Sequence, residues 1–348
     1  MRRSTVTTAL VSAAAMLLAV SFARVTPAVP AVPPSIPTRS LEMTTITHVP
    51  AMPAGSRELR VWIPLPYAGP DAYQKVSRLK IESPVPYRVE REPVFGDRYV
   101  YLALKRSQAA KPFDIRISFH VQRFEHRVSL SPVNPAPAVP HVELARYLQP
   151  DRMIPLDGEI GQLSAQETKG AHGAVAKARK IYDYILATMH YDHAGTGWGR
   201  GDAVWACNSK HGNCTDFHSL FIGMARAAGV PARFQIGLPL PPDSHSGEIS
   251  GYHCWAEFYA KGIGWVPIDA AKASQEPAKA KYFFGAIDTD RVMFSMGRDI
   301  RLVPPQKGQP VNYFVFPYAE LDGKPFDAIT HTASFRDDVA TTEASRGN

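Results

Sequence analysis

Three short stretches carry side chains able to do chemistry together: Gly212-Asn213-Cys214-Thr215-Asp216, Tyr252-His253-Cys254-Trp255 and Gly264-Trp265-Val266-Pro267-Ile268-Asp269. They offer a thiol, an imidazole and a carboxylate, which is a nucleophile, a base to activate it and an acid group to orient the base. Asn213 is a good N-cap residue, which puts Cys214 at the first position of a helix. Backbone N–H groups there have no intrahelical partner, and together with the positive end of the helix dipole they favour a thiolate. The same donors can hold the oxyanion formed when sulfur attacks a carbonyl. Asp216 supports the helix start but brings negative charge close to the thiol, so a positive group is needed to set its protonation, and His253 is the candidate.

The spacing of His253 and Asp269 defines what the intervening hairpin must do. On a strand from Tyr252, residues 253, 255 and 257 share one face and 254, 256 and 258 the other. A three-residue loop Lys261-Gly262-Ile263 pairs Ala260 with Gly264 and sets Asp269 opposite Trp255, so that His253 and Asp269 become diagonal neighbours about 7–8 Å apart at the backbone. A two-residue loop at Gly262-Ile263 puts them on opposite faces, so the triad needs the odd loop or a compensating bulge.

Singly, each residue has an ordinary structural role open to it: a small buried cysteine, a core histidine, an aspartate closing a strand. The combination of contexts points to catalysis. The segment from about Ala178 to Ala271 resembles the transglutaminase-like superfamily of papain-type thiol enzymes. GNCTDFHSLFIGMARAAGVPAR is similar to its nucleophile helix, GYHCWAEFY to its histidine strand and GWVPIDA to its aspartate strand. The resemblance implies a Cys214–His253–Asp269 triad and an antiparallel sheet packed on the nucleophile helix. The alternating N-terminal region, including VWIPLP, resembles the β-rich extension of exported bacterial members. In animal transglutaminases a Trp upstream of the nucleophile helps hold the oxyanion. Neither Trp198 nor Trp205 falls on that position, and Tyr191, Asn208 and His211 are the alternative donors.

The elements that must position these groups follow from periodicity. Between Leu41 and Phe124 the apolar residues alternate, as in Leu59, Val61, Ile63, Leu65 and in Ile115, Ile117, Phe119, Val121, which predicts a small antiparallel β-sandwich. Ser131 to Pro140 is too rich in proline for a helix or central strand and marks a boundary. Beyond it, Ala174–Met189 has helical spacing. A second helix opens at Cys214, buries Phe217, Leu220, Phe221, Met224 and Ala228 on one face, and stops at Gly229 and Pro231. Strand-like residues 233–238 and the hairpin follow. The fold class is α+β, a transglutaminase-like core preceded by an all-β domain. The divisions are 1–23 signal peptide, 24–40 Pro-rich tether, 41–130 β-rich domain, 131–140 linker, 141–325 catalytic domain and 326–348 C-terminal tail.

Composition bounds the function. A chain of 348 residues, 45% hydrophobic and 20% charged, has the make-up of a folded globular protein. The formal net charge is +7, with Arg2 and Arg3 inside the expected leader, and no basic stripe with interleaved aromatics suggests nucleic acid. Arg2-Arg3, the apolar run Ala9–Val20 and Ser21-Phe22-Ala23 read as an export signal, too short in its apolar part to span a bilayer. A periplasmic or secreted protein with no membrane anchor after signal removal is expected. Of three cysteines, Cys214 is left free, and spacing does not decide between a Cys207–Cys254 bridge and a Cys254 that is a small buried residue. His190, Asp192, His193, His211 and His218 match no metal motif, and no phosphate or dinucleotide fingerprint occurs, so no cofactor or metal is expected.

The expected function is therefore a cysteine-dependent hydrolase, a peptidase or amidase, working through an acyl-enzyme on protein or peptide substrates such as cell-envelope peptides. The alternatives are transfer of a glutamine acyl group to an amine at the same triad, and a non-catalytic envelope protein that binds protein or glycan on the same scaffold. Calcium dependence and oligomeric state are left open. Trp255 and Trp265 are candidates to line the cleft, with core packing favoured for at least one.

Overall fold

In the strand Phe113–Phe124, Ile115, Ile117, Phe119 and Val121 are buried while Arg116 is exposed, as the period-two pattern requires. This computed structural model describes residues 36–70, 73–131, 135–137 and 139–338. The expected signal peptide and most of the tether lie outside the described residues. Phe113–Phe124 pairs antiparallel with Thr38–Val49, and the register Leu41↔Val121, Met43↔Phe119 brings both apolar sets to one side.

These strands are central in a five-stranded sheet ordered Ser246–Ile249, Thr330–Asp337, Thr38–Val49, Phe113–Phe124, Gln74–Glu82. A second sheet runs Lys324–Pro325, Tyr318–Leu321, Glu58–Pro64, Arg98–Lys105, Arg88–Arg91. Leu59, Val61 and Leu102 from the second share a buried core with Leu41, Met43 and Ile117 from the first. The C-terminal boundary differs from the expected one. Thr330–Asp337, inside the supposed tail, is a full strand beside Thr38–Val49, and Ser246–Ile249 adds to it from within the catalytic segment. Of this strand only Ala333 and Phe335 are buried, so the alternation that betrays a strand is carried by one small and one large residue. At the other end, Thr38–Val49 begins inside the segment expected as tether.

The remaining segment builds an antiparallel sheet ordered Gly264–Ile268, His253–Ala260, Ala232–Pro239, Arg291–Met296. The helix Cys214–Ala227 packs on it, and every residue from Cys214 to Arg226 is buried. It is thus enclosed on all sides rather than on the one face the periodicity suggested. Helices Gly158–Glu167, Gly173–Thr188 and Ala203–Ser209 surround it, and Ser164 Oγ donates to the Met224 carbonyl at 2.7 Å. An apolar helix that is covered all round is the expected state of a domain's central element. Gly229, with φ +77°, ends the reversal before Pro231, as read from the sequence.

One close approach fixes the strand that faces His253. Gly237 is the partner of His253 in the sheet, and the pairing with Arg291–Met296 shifts register between Ile236 and Gly237. A Cβ there would stand 1.9 Å from the Val292 carbonyl oxygen, a backbone atom that cannot rotate away. Gly237→Ala should therefore separate the two strands and cost at least the about 1–3 kcal/mol of an overpacked core. An unchanged urea midpoint and slope would show that the strands do not approach so closely.

Candidate active site

Asn213 caps the nucleophile helix as its residue type suggests: its backbone is extended, and its Oδ1 accepts from the Thr215 N–H at 2.9 Å. Cys214 takes the first helical position. Asp216 completes a capping box, but its carboxylate does more than that. Oδ2 accepts from the N–H of Asn213 at 3.0 Å and of Gly199 at 2.7 Å, while Oδ1 accepts from Gly201 at 3.0 Å. The charge expected to oppose the thiolate is spent on three backbone donors, and it pins the glycine-rich 199–201 segment over the helix start. Gly212, with φ +143°, makes room for this, since a Cβ there would lie 2.5 Å from Asp216 Oδ2.

The hairpin has the odd loop. Ala260 pairs with Gly264 and Ala256 with Ile268, so continuing the register sets Asp269 opposite Trp255. His253 Nε2 and Asp269 Oδ2 are 2.7 Å apart, and the imidazole is also hydrogen-bonded to the Cys214 thiol. Cys214, His253 and Asp269 are 1%, 7% and 0% exposed, so sulfur, ring and carboxylate meet in a nearly dry site. The three residues singled out from the sequence are thus brought together.

Charge in so dry a place must be balanced. Burial pushes the Asp269 carboxyl up, but the His253 and Arg291 charges outweigh it and hold Asp269 well below the usual carboxylate range. Burial likewise disfavours the His253 cation, yet Asp269 and the thiolate raise its pKa to about 9. The Cys214 thiol is pushed up by burial and pulled down further by hydrogen bonds from Cys254 and His253, ending well below the ordinary thiol range. Both shifts favour a thiolate–imidazolium pair backed by an anionic carboxylate. Cys254 stays protonated, because burial and the neighbouring thiolate both raise its pKa, and it is a donor to the nucleophile.

Arg291 is a functional residue that the sequence reading missed. Its Nη1 donates to Asp269 Oδ2 at 2.7 Å, its Nε and Nη2 grip Asp288 Oδ1 at 3.1 and 3.0 Å, and its guanidinium lies 5.0 Å from the centre of the Trp255 ring. The available signal was an arginine opening a mostly apolar strand directly after two aspartates, Asp288 and Asp290. His218, set aside with the other histidines, is fully buried beneath the nucleophile.

Of the alternative oxyanion donors, Asn208 is bound to Glu159 Oε2 at 3.0 Å and His211 to Asp192 Oδ1 at 2.8 Å. Tyr191 alone of the three reaches the site: it pairs with Gly212 in a parallel bridge, and its hydroxyl is hydrogen-bonded to the Cys214 backbone. Trp198 stacks on His193 with ring centres 4.4 Å apart, and Trp205 packs edge-on against His211. Trp255 is core, its Nε1 donating to Gln235 Oε1. Trp265 packs edge-on against Tyr147 and Tyr259.

The bridge considered between Cys207 and Cys254 is absent: all three cysteines are free, with Cys207 Sγ turned to Glu159 at 3.8 Å and Cys254 turned to the nucleophile. Among the described residues, no group of three or more His, Cys, Asp or Glu side chains is arranged to hold a metal ion.

Comparison with known proteins bears on the fold and on the segment that carries these residues. An uncharacterized protein of Haemophilus influenzae is 28% identical over 322 residues, 82% of this chain and 87% of that protein. The uncharacterized protein YebA of Bacillus subtilis is 24% identical over 148 residues, 38% of this chain but 20% of that protein. Among solved structures, a candidate cysteine protease of Cytophaga hutchinsonii superimposes with a TM-score of 0.52 over 86% of this chain and 98% of that one, at 16% identity, a likeness of fold. The model of the transglutaminase-like superfamily matches residues 161–270, the segment that holds nucleophile, imidazole and carboxylate. Residues 161–270 of the chain are thus a transglutaminase-like segment.

Proposed function

We propose that this protein is an exported cysteine-dependent hydrolase that opens amide bonds of peptide or protein substrates, cell-envelope peptides among them. The observation that carries the reading is the 2.7 Å hydrogen bond from His253 Nε2 to Asp269 Oδ2, which leaves the other ring nitrogen for the thiol. Export rests on the leader-like residues Arg2-Arg3 and the apolar run that follows them.

In the proposed reaction the Cys214 thiolate attacks the amide carbonyl, forming a C–S bond and a tetrahedral oxyanion. The N–H of Cys214 at the helix start and the Tyr191 hydroxyl that it meets are the donors suited to that oxygen, the pair parting as the oxyanion forms. Collapse of the oxyanion breaks the C–N bond, and the His253 imidazolium gives its proton to the departing amine. The product is a thioester on Cys214. His253, now neutral, takes a proton from water as the water attacks the thioester, which releases the carboxylic acid and restores the thiolate–imidazolium pair. Asp269 keeps the ring in the required tautomer and orientation throughout, held in turn by Arg291.

The purified chain should be assayed on labelled casein and on a glutamine-containing peptide with added amine, with peptide cleavage, ammonia release and amine incorporation measured separately. Cleavage or ammonia release that Cys214→Ala abolishes is the expected result. Amine incorporation in excess of hydrolysis would make the protein an acyltransferase. A Cys214 that iodoacetamide alkylates no faster than a free-cysteine peptide would leave only a binding scaffold. Asp269→Asn should lower kcat by about 10³–10⁴-fold, since the amide can hold the wrong tautomer of the ring.

The pH dependence follows from the same pair. Activity needs a charged thiolate and a protonated His253, so it should be retained through neutral pH and fall as pH rises past about 9, where the imidazolium loses its proton. Alkylation by iodoacetamide needs only the thiolate and should not fall there. A rate profile declining near pH 6.5 would show that the ring carries no stabilised proton.

A further inference from the structure

His218 is a buried histidine one turn into the nucleophile helix that the proposed chemistry does not use. Its Nδ1 lies 2.7 Å from the Cys214 carbonyl oxygen, so this nitrogen carries a proton and donates it. Its Nε2 lies 3.1 Å from the Ala270 N–H and accepts from it, so this nitrogen is bare. The two bonds fix one neutral tautomer. The groups facing the ring are Cys214 from its own helix, His253 and Cys254 from the histidine strand, with Cys254 Sγ 3.5 Å from Nδ1, and Asp269, whose Oδ1 is 3.7 Å from Nε2.

The two ends of this ring reach the main chain at two members of the triad. One holds the peptide of Cys214 itself. The other holds the peptide immediately after Asp269, at the first turn of the helix Ala270–Gln275. That turn has backbone donors in need of acceptors. Asp269 Oδ1 meets the Lys272 N–H at 2.9 Å, and His218 meets the Ala270 N–H. With both donors satisfied, Asp269 Oδ2 remains directed to His253 and Arg291. The nucleophile helix and the helix Ala270–Gln275 that follows the hairpin are separate elements, and here a single rigid five-membered ring bonds both.

We propose that His218 is a positioning residue, a neutral imidazole cross-tie that sets the spacing between nucleophile and acid so that His253 fits between them. This rests on the assignment of Cys214, His253 and Asp269 as the reacting triad. His218 acts through the main chain of two triad residues and takes no proton in the reaction.

Three variants separate the two ends of the tie. His218→Gln sets a carbonyl near the place of Nε2 and can accept from Ala270 without donating to Cys214. His218→Asn sets an amide near the place of Nδ1 and can donate to Cys214 without reaching Ala270. His218→Phe keeps the volume and neither bond. In each full-length variant the iodoacetamide reactivity of Cys214 is followed against pH by mass spectrometry of its peptide, beside the melting temperature. The expected result is that all three move the midpoint of the acid limb upward by about one pH unit, about a tenfold weaker preference for the thiolate. Gln and Asn should each move it as far as Phe, because a tie cut at one end is cut.

Variants that melt lower but keep the wild-type midpoint would make His218 structural only and overturn the proposal. Shifts for Gln and Asn that sum to that of Phe would do the same, since they would mean two independent bonds. A wild-type Cys214 that titrates like a free cysteine would overturn the triad itself and this inference with it. A depressed wild-type midpoint that no variant moves would overturn the cross-tie alone.

Discussion

The site depends on keeping one carboxylate ionised where water does not reach. Asp269 is fully buried, and an isolated charge there would neutralise itself rather than remain. Arg291 and His253 both bond its Oδ2, and Lys272 N–H bonds its Oδ1, so the anion has three close donors in place of solvent. The consequence runs outward from there. An anionic Asp269 favours a protonated His253, and a protonated His253 favours the thiolate of Cys214. Removing one partner from such a buried cluster costs more than the pair contributes, because the other charge is left without solvent or counter-ion. The protonation of Cys214 is thus tied to the integrity of the packing around Asp269.

The helix that presents Cys214 is built to tolerate no movement. Its cap, Asn213, is held from one side by Asp216 and from the other by the Tyr252 hydroxyl, which accepts from Asn213 Nδ2 at 3.0 Å. Arg298 extends the same anchoring, donating to Ser219 Oγ at 2.6 Å and to the Gly201 carbonyl at 3.0 Å. The glycine-rich segment is therefore fixed to the nucleophile helix by a carboxylate at one end of the first turn and a guanidinium further along it. Positioning of this kind is what lets a thiol and a carbonyl meet without a large entropic cost at the moment of reaction.

Much of this was legible in the sequence because it rests on local rules. Asn213 before Cys214 is a helix-start signal, Gly229 with Pro231 is a stop, and the helix begins and ends where those signals put it. The triad requires an odd hairpin loop at 261–263, and Ala260↔Gly264 meets that requirement. What escaped detection was long-range. Arg291 is separated from Asp269 by 22 positions and reads in isolation as an arginine at a strand end. His218 lay in a helical pattern with no sign that its two nitrogens would meet separate elements. The strand Thr330–Asp337 was hidden by its short side chains, and its pairing partner is Thr38–Val49, almost the whole chain away. A free Cys207 could not be told from a bridged one by spacing, since only geometry shows it facing Glu159.

The β-rich region has a physical role that its sequence does not announce. Arg291–Met296 is an edge strand of the catalytic sheet, and edge strands need their free N–H and C=O groups covered. The cover comes from the β-rich region. Gln74 Nε2 donates to the Met293 carbonyl at 2.9 Å, and its Oε1 accepts from the Met293 N–H at 2.9 Å. Tyr67 N–H donates to the same carbonyl, and Asp97 Oδ1 accepts from the Met296 N–H at 2.9 Å. Beside the strand, Arg39 bonds both Asp290 and Asp337, linking the approach to Arg291 to the C-terminal strand. The first residue of this covered strand is Arg291 itself, the cation that holds Asp269. The β-sandwich thus fixes the strand, the strand fixes the arginine, and the arginine holds the charge on which the thiolate depends. A catalytic segment cut away from its β-rich companion would keep the three named residues but lose the support that orders them.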